Sequence, residues 1–255
     1  MIYLLDPTDP HAHFPPVERA EREPNGLLAV GGDLSAARLL RAYRAGVFPW
    51  YNAGQPILWW SPDPRATLFP ERLRITRSLR KTLRNKGLRV SFDQAFGRVL
   101  RSCAAPRNYT PDTWITAEMA IAYDRLHRLG HAHSVEVWEG EELVGGLYGV
   151  LLGRAFFGES MFSRQRDASK VALVFLADRA LAWGISLIDC QVHSEHLASL
   201  GAVELPRKEF CRLLDTACEA PAPSFPWPTE EARLGPLAAR ILGDRAEAGH
   251  SGEAA

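Results

Sequence analysis

HSVEVWEG (133–140), EELVGGLYGVLLG (141–153) and RAFFGESMF (154–162) are the residues on which the fold turns. Each run is rich in aromatic and β-branched side chains, and glycines at the joints permit tight turns, so the three read as a β-meander. DASKVALVFLADRALAWG (167–184) follows and is apolar on nearly every side, which predicts a helix buried against that sheet. ISLIDCQV (185–192) is short and mostly apolar, the pattern of a central strand; HSEHLASLG (193–201) then reads as a short helix and AVEL (202–205) as a last strand.

Upstream of the meander, ITRSLRKTLRNKG (75–87) reads as an amphipathic helix, SFDQAFGRVLRSCA (91–104) as a second, and TAEMAIAYDRLHRLG (116–130) as a third closed by Gly130. The first 61 residues are rich in turn signals around one short helix, LSAARLLRAYRAG, capped by Asp33 or Ser35. VFPWYNAGQPILWWSPDPR (47–65) carries three tryptophans and four prolines and reads as a rigid aromatic loop, excluded from regular helix or central strand. These elements describe an α+β chain: a small N-terminal domain over 1–61, a mixed-sheet domain over 62–219, and a flexible tail over 220–255 rich in Pro, Ala, Gly and charge. An amphipathic helix near ARLGPLAARIL is the one element open to the tail. The element order of the second domain resembles the N-acyltransferase (GNAT-type) fold of the acetyltransferases that use acetyl-CoA.

Composition narrows the function classes. Of 255 residues, 46% are hydrophobic, enough for a sizeable core. No apolar run approaches the roughly 18 residues of a membrane span, and the N-terminus lacks the basic start of a signal peptide, so the expectation is a cytoplasmic chain without a membrane partner. Cys103, Cys190, Cys211 and Cys218 show no CxxC spacing, which predicts free thiols and no zinc site. The formal net charge is zero, yet residues 72–89 hold eight Arg and Lys and no Asp or Glu. Such a stretch can steer a polyanion, or it is simply a solvated helix face.

Within ISLIDCQV, alternation places Asp189 and Gln191 on one face and Ile188 and Cys190 on the other. Two polar groups in an apolar strand either bond neighbouring loops or form a catalytic carboxylate with an orienting amide. Glu159 at the end of an aromatic strand has the same ambiguity: an ion pair with Arg164 or Arg166, or a site carboxylate. Trp50, Trp59, Trp60 and Trp114 are either core packing or a stacking platform for a nucleobase. No GxxxxGK[ST] loop is present, and ESMFSRQRDASK (159–170) lacks the Q/RxxGxG/A turn that holds the pyrophosphate of CoA, which argues against an acyl-CoA transferase. A non-catalytic RNA-binding module built on the same sheet is the alternative from another class.

EPNGLLAVGGDLS (23–35), GVFPWY (46–51), ILWWSPDPRA (57–66), TWIT (113–116), GHAHSVEVWEGEELVGGLYGV (130–150), FFGESMFSR (156–164), ASK (168–170) and LIDCQVHSEHLASLGA (187–202) recur together, and in this order, in one family. Over residues 14–215 the chain resembles the bacterial leucyl/phenylalanyl-tRNA–protein transferases. The resemblance implies an enzyme that moves Leu or Phe, and Met less readily, from aminoacyl-tRNA to the α-amine of a protein beginning with Arg or Lys, marking it for degradation. It implies a monomer that needs neither metal nor cofactor, because the aminoacyl ester is already activated. Carried over by motif, Asp189 and Gln191 are the catalytic pair, with Asp189 setting the orientation of Gln191. Trp50 and Trp114 lie near the terminal adenosine. Leu147, Phe156 and Ile188 line the pocket for the transferred side chain, with Glu159 at its polar edge. Arg77, Arg80, Lys81 and Arg84 form the helix face that meets the tRNA backbone. The family often places Phe where this chain has Leu176 and Ala180, which implies a wider pocket or one filled by Phe175 or Trp183.

Overall fold

The computed structural model describes residues 2–105, 114–221, 227 and 232–242. Two β-sheets organise them. The first has strand order β1-β2-β4-β3, from β1 (Tyr3–Leu5), β2 (Leu27–Gly31), β3 (Phe48–Pro49) and β4 (Leu58–Trp60). Helix α1 (Ala36–Arg44) packs beside it, capped by Ser35, whose hydroxyl accepts the Arg38 N–H at 3.2 Å. The expected aromatic loop over 47–65 is therefore wrong in its middle: Leu58–Trp60 is a central strand, paired with β2 and β3. Of the prolines, Pro56, Pro62 and Pro64 fall outside the strands, and Pro49 ends the edge strand β3. Trp59 is fully buried and its Nε1–H donates to the Gly31 carbonyl at 2.9 Å, so the tryptophan needs both strands.

The second sheet has seven strands in the order β11-β5-β10-β9-β8-β7-β6. These are β5 (Arg65–Leu68), β6 (Arg89–Phe92), β7 (Ala132–Glu139), β8 (Glu142–Leu152), β9 (Ala155–Ser163), β10 (Leu187–Gln191) and β11 (Val203–Leu205). β7, β8 and β9 are the meander. β10 lies between β5 and β9, antiparallel to the first and parallel to the second. The parallel step needs a crossover, and α5 (Ala168–Trp183) supplies it. The result is a seven-stranded mixed sheet covered by helices, in an α+β chain. α5 lies so close to β8 that a Cβ at Gly145 would collide with Ala168. Helices α2 (Arg77–Asn85), α3 (Phe96–Ala104), α4 (Ala117–Arg128), α6 (Glu195–Ser199) and α7 (Arg207–Glu219) complete the layers. Thr76, Thr116 and Ser194 cap α2, α4 and α6 with their hydroxyls. The helix expected from Ser91 begins only at Phe96; Ser91 and Phe92 belong to β6, where both are buried against β7.

Each face of the large sheet carries its own core. One holds Tyr43, Trp59, Tyr123, Tyr148, Phe157, Leu187 and Phe210, and joins the small sheet, α1, α4 and α7 to the large one. The other holds Phe92, Leu147, Phe156, Leu176 and Ile188 under α5. Leu237 and Ile241 belong to this second core, and α8 (Ala238–Leu242) packs on α2. Residues 227 and 232–242 thus depart from the expected flexible tail, because their apolar side chains find a buried face. Ala220 and Pro221, also described, follow directly on the end of α7, and the remaining residues of that tail lie outside the described residues. Among the described residues, no helix is long and apolar enough to cross a membrane.

Candidate active site

β9 and β10 pair only over Ala155–Phe157 and Leu187–Asp189. Beyond that, β9 runs on to Ser163 and β10 ends at Gln191, so the two strands part. A cleft of about 810 Å³ opens in the gap. Leu147, Phe156, Leu173, Leu176 and Ile188 give it apolar walls, and Trp114, Tyr148, Glu159 and Gln191 bring polar groups to it. Among the described residues, no three His, Cys, Asp or Glu converge as a metal site.

Two bulges aim the polar groups. In β8–β9, Tyr148 faces Ser160 and Gly149 faces Gly158, so Glu159 has no opposite residue. In β5–β10, Thr67 faces Asp189 and Ala66 faces Gln191, so Cys190 is the extra residue. Gln191 follows it with φ +59°, in the left-handed region. The expectation that Asp189 and Gln191 share a face is therefore overturned. Gln191 lines the cleft together with Ile188 and Cys190, while Asp189 is turned to the opposite core.

Asp189 is fully buried and held in a two-point ion pair with Arg65: Nε to Oδ1 at 2.8 Å and Nη2 to Oδ2 at 2.7 Å. The Arg65 guanidinium lies over the rings of Phe48 and Phe210, at 4.8 and 4.7 Å, and its Nη1 donates to the Gly46 carbonyl. The Gln191 backbone N–H donates to Asp189 Oδ1 at 3.0 Å. Asp189 is absent from the lining of the cleft. It fixes the left-handed turn that presents the Gln191 side chain, whose Nε2 is buried without a protein partner.

Glu159 does not pair with Arg164 or Arg166. Arg164 binds the Leu143 carbonyl and Ser102, and Arg166 lies 3.8 Å from Asp167. Glu159 Oε2 instead accepts the Tyr123 hydroxyl at 2.5 Å, and Tyr123 Oη is 2.5 Å from Tyr43 Oη. Since the Tyr123 proton goes to Glu159, Tyr43 donates to Tyr123. The chain of hydroxyls links α1 of the small domain to the cleft. Glu159 is half-buried as a residue, but its Oε1 is sealed from solvent and has no protein partner, and Tyr148 Oη is likewise sealed and unpartnered.

Burial raises the Glu159 carboxyl from its ordinary 4.5 to about 7, against the tyrosine hydrogen bonds that lower it. A carboxyl raised on folding favours the folded state most when protonated. Its contribution is complete below pH 4.5 and is lost as pH rises toward about 7. Glu159→Gln removes the charge, so its melting temperature is expected to match wild type near pH 4.5 and exceed it at pH 8. Thermal melts across that range check this; a wild-type advantage at pH 8 would contradict it. Cys190 also lines the cleft, but burial and then Asp189 push its thiol up to about 12, so it is no nucleophile. The four cysteines are free, as their spacing predicted.

Trp114, Leu147, Phe156, Glu159, Ile188 and Gln191 are thus brought together at the cleft. Trp50 is not among its lining residues; it is 43% exposed on the small sheet, tilted against Trp60 at 5.8 Å. The four cations of α2 do not form one free face. Arg77 and Lys81 are exposed, Arg80 is half-buried, and Arg84 Nε donates to the Ile241 carbonyl at 2.6 Å. Of the two expectations for the pocket, a wider one or one filled by Phe175 or Trp183, the second is not met: neither residue is in the lining, which takes Leu173 and Leu176 from α5. Sequence reasoning missed Arg65, Tyr43, Tyr123 and Tyr148. A lone arginine inside RATL (65–68), an otherwise uncharged run, was the signal for the first.

Residues 67–215 match the family model described as leucyl/phenylalanyl-tRNA protein transferase, and residues 32–63 match the model of that family's N-terminal domain. The leucyl/phenylalanyl-tRNA–protein transferase of Pseudomonas syringae pv. syringae is 60% identical over 82% of this chain and 91% of its own length. That of Methylococcus capsulatus is 56% identical over 89% of this chain and 97% of its own. Among solved structures, a GCN5-related N-acetyltransferase from Kribbella flavida aligns at 9% identity, over 64% of this chain and 58% of its own, with a TM-score of 0.35.

Proposed function

The chain belongs to the leucyl/phenylalanyl-tRNA–protein transferase family, an aminoacyltransferase that acts between tRNA and protein, and on that premise we propose how its cleft divides the work. The donor is leucyl-, phenylalanyl- or, less readily, methionyl-tRNA, and the acceptor is the α-amine of a protein that begins with Arg or Lys. The product is marked for degradation. We take the working unit to be a monomer.

One observation carries this reading: Gln191 Nε2, Glu159 Oε1 and Tyr148 Oη are buried, unpartnered among protein atoms, and gathered beside an apolar wall. Leaving such groups unsatisfied costs about 1–3 kcal/mol each, so a ligand with complementary polar atoms belongs there. The donor's side chain lies against Leu147, Phe156 and Ile188, with the terminal adenosine on the Trp114 side and Trp50 further out. Gln191 donates to the ester carbonyl oxygen through Nε2 and accepts an N–H of the attacking amine at its own oxygen. The N–C bond forms, the ester C–O bond breaks, and the amine's proton passes to the departing 3′-oxygen of the tRNA. Orientation supplies much of the acceleration, since the ester is already reactive. Glu159, ionised above about pH 7, faces the cationic first side chain of the acceptor. Arg77 and Lys81, with Arg80, meet tRNA phosphates; Arg84 supports them by holding α8.

The acceptor assignment is tested with leucyl-tRNA and peptides that differ only in their first residue: Arg, Lys, Ala or Glu. Mass spectrometry is expected to show one added leucyl group on the Arg and Lys peptides and none on the others. Equal labelling of the Ala peptide, or none of any, contradicts it.

A further inference from the structure

We propose that the C-terminal segment sets the donor preference of the cleft, with Trp227 acting as the backing of its Phe156 wall. The inference rests on the reading that the donor side chain lies against Phe156.

Phe156 borders the cleft and is fully buried. On β8, Gly149 leaves the space its ring occupies, since a Cβ there would run into it. The Phe156 ring is stacked on Trp227, with centroids 6.1 Å apart and planes 15° from parallel. The indole is held from further sides by His133 at 4.2 Å, stacked, and by Trp183 and Phe92 at 5.0 and 5.7 Å, edge-on. Trp183 is thus absent from the cleft because it supports Trp227 instead.

The placement of this segment is built into the transferase domain itself. Asp178 is 2% exposed on α5, an apolar helix where a buried carboxylate has no ordinary use. Its Oδ2 accepts the Gly235 N–H at 2.7 Å and its Oδ1 accepts the Leu237 N–H at 2.6 Å. The Ala232 N–H donates to the Val90 carbonyl, and Arg84 reaches the Ile241 carbonyl. Leu237 and Ile241 are buried in the same core as Leu176 and Ala180. Residues 232–241 are thus docked on α5, β6 and α2, and Trp227 is held by its own ring contacts against Phe156. Packed interiors respond to the loss of a large ring by partial collapse, so removing the indole lets Phe156 retreat and deepens the cleft.

The test measures kcat/KM for phenylalanyl-, leucyl- and methionyl-tRNA with one Arg-starting peptide. Trp227→Ala, Trp227→Phe and Leu176→Ala are compared with wild type, Leu176 being a cleft residue that reports directly on the donor side chain. Trp227→Ala is expected to raise the phenylalanyl-to-leucyl ratio about fivefold or more, within the range that one or two methylenes of pocket space confer. Trp227→Phe is expected to return the ratio close to wild type. A ratio within twofold of wild type in Trp227→Ala, including an equal loss for every donor, overturns the inference if Leu176→Ala shifts the ratio. If Leu176→Ala leaves the ratio unchanged as well, the donor side chain does not occupy this cleft, and the proposed site falls together with the inference.

Discussion

Asp189→Ala is expected to lower the stability of the chain by about 3–5 kcal/mol and to abolish transfer, because it leaves the Arg65 cation buried without a partner. Arg65 and Asp189 are 1% and 0% exposed, so no solvent can replace the lost carboxylate. Arg65→Ala is expected to do the same from the other side. The pair Arg65→Met with Asp189→Leu separates the two effects. Replacing both charges by apolar groups of similar size is often neutral, so the double variant should recover most of the stability. It should not recover transfer, because the Gln191 N–H still lacks the acceptor that holds its turn. Denaturant unfolding and a transfer assay on the three variants check this. An Asp189→Ala protein as stable as wild type, or a double variant with near wild-type transfer, contradicts the assignment of Asp189 as a positioning residue.

Gln191→Gly is expected to act in the opposite sense on stability. Gln191 sits at φ +59°, which costs a residue with a side chain about 1 kcal/mol or more and glycine almost nothing. The substitution also removes a buried amide nitrogen that has no partner. Glycine's larger freedom in the unfolded chain offsets part of the gain, so the folded state should change little or become slightly more stable. Transfer should fall about 100-fold or more, the usual cost of removing one hydrogen-bond donor from a developing oxyanion. A folded variant that loses activity without losing stability marks strain kept for function. A clear loss of stability instead assigns Gln191 to the fold.

Much of this was legible in the sequence, for physical reasons that differ from element to element. The meander and α5 announced themselves because their patterns extend over whole strands and turns, and Ser35 and Gly130 mark helix ends by local chemistry. Leu147, Phe156, Ile188 and Glu159 could be placed at the site from motif strings. β4 could not, because four prolines around it mask two tryptophans that only pairing with β2 explains. Strict alternation put Gln191 beside Asp189, and a bulge of one residue at Cys190 reversed it. Arg65 lies 124 positions from Asp189, so their pairing is a fact of tertiary structure with no local trace. The tyrosines that hold Glu159 occupy helix positions where phenylalanine would pack as well, and only the hydroxyls distinguish them. The C-terminal segment has the composition of a tail, and what docks it is a carboxylate on another element, Asp178.

On the proposed reading, the gap between β9 and β10 is where an aminoacyl group passes from tRNA to a protein N-terminus, with Gln191 presented there by Asp189. Single-turnover transfer from leucyl-tRNA to an Arg-starting peptide, followed by the peptide's mass for wild type and Gln191→Gly side by side, tests it most directly. The wild-type chain should add one leucyl group, and the variant, folded and at least nearly as stable, should add it about 100-fold more slowly or not at all. A wild-type chain that adds nothing, or a variant that keeps pace with it, contradicts the claim.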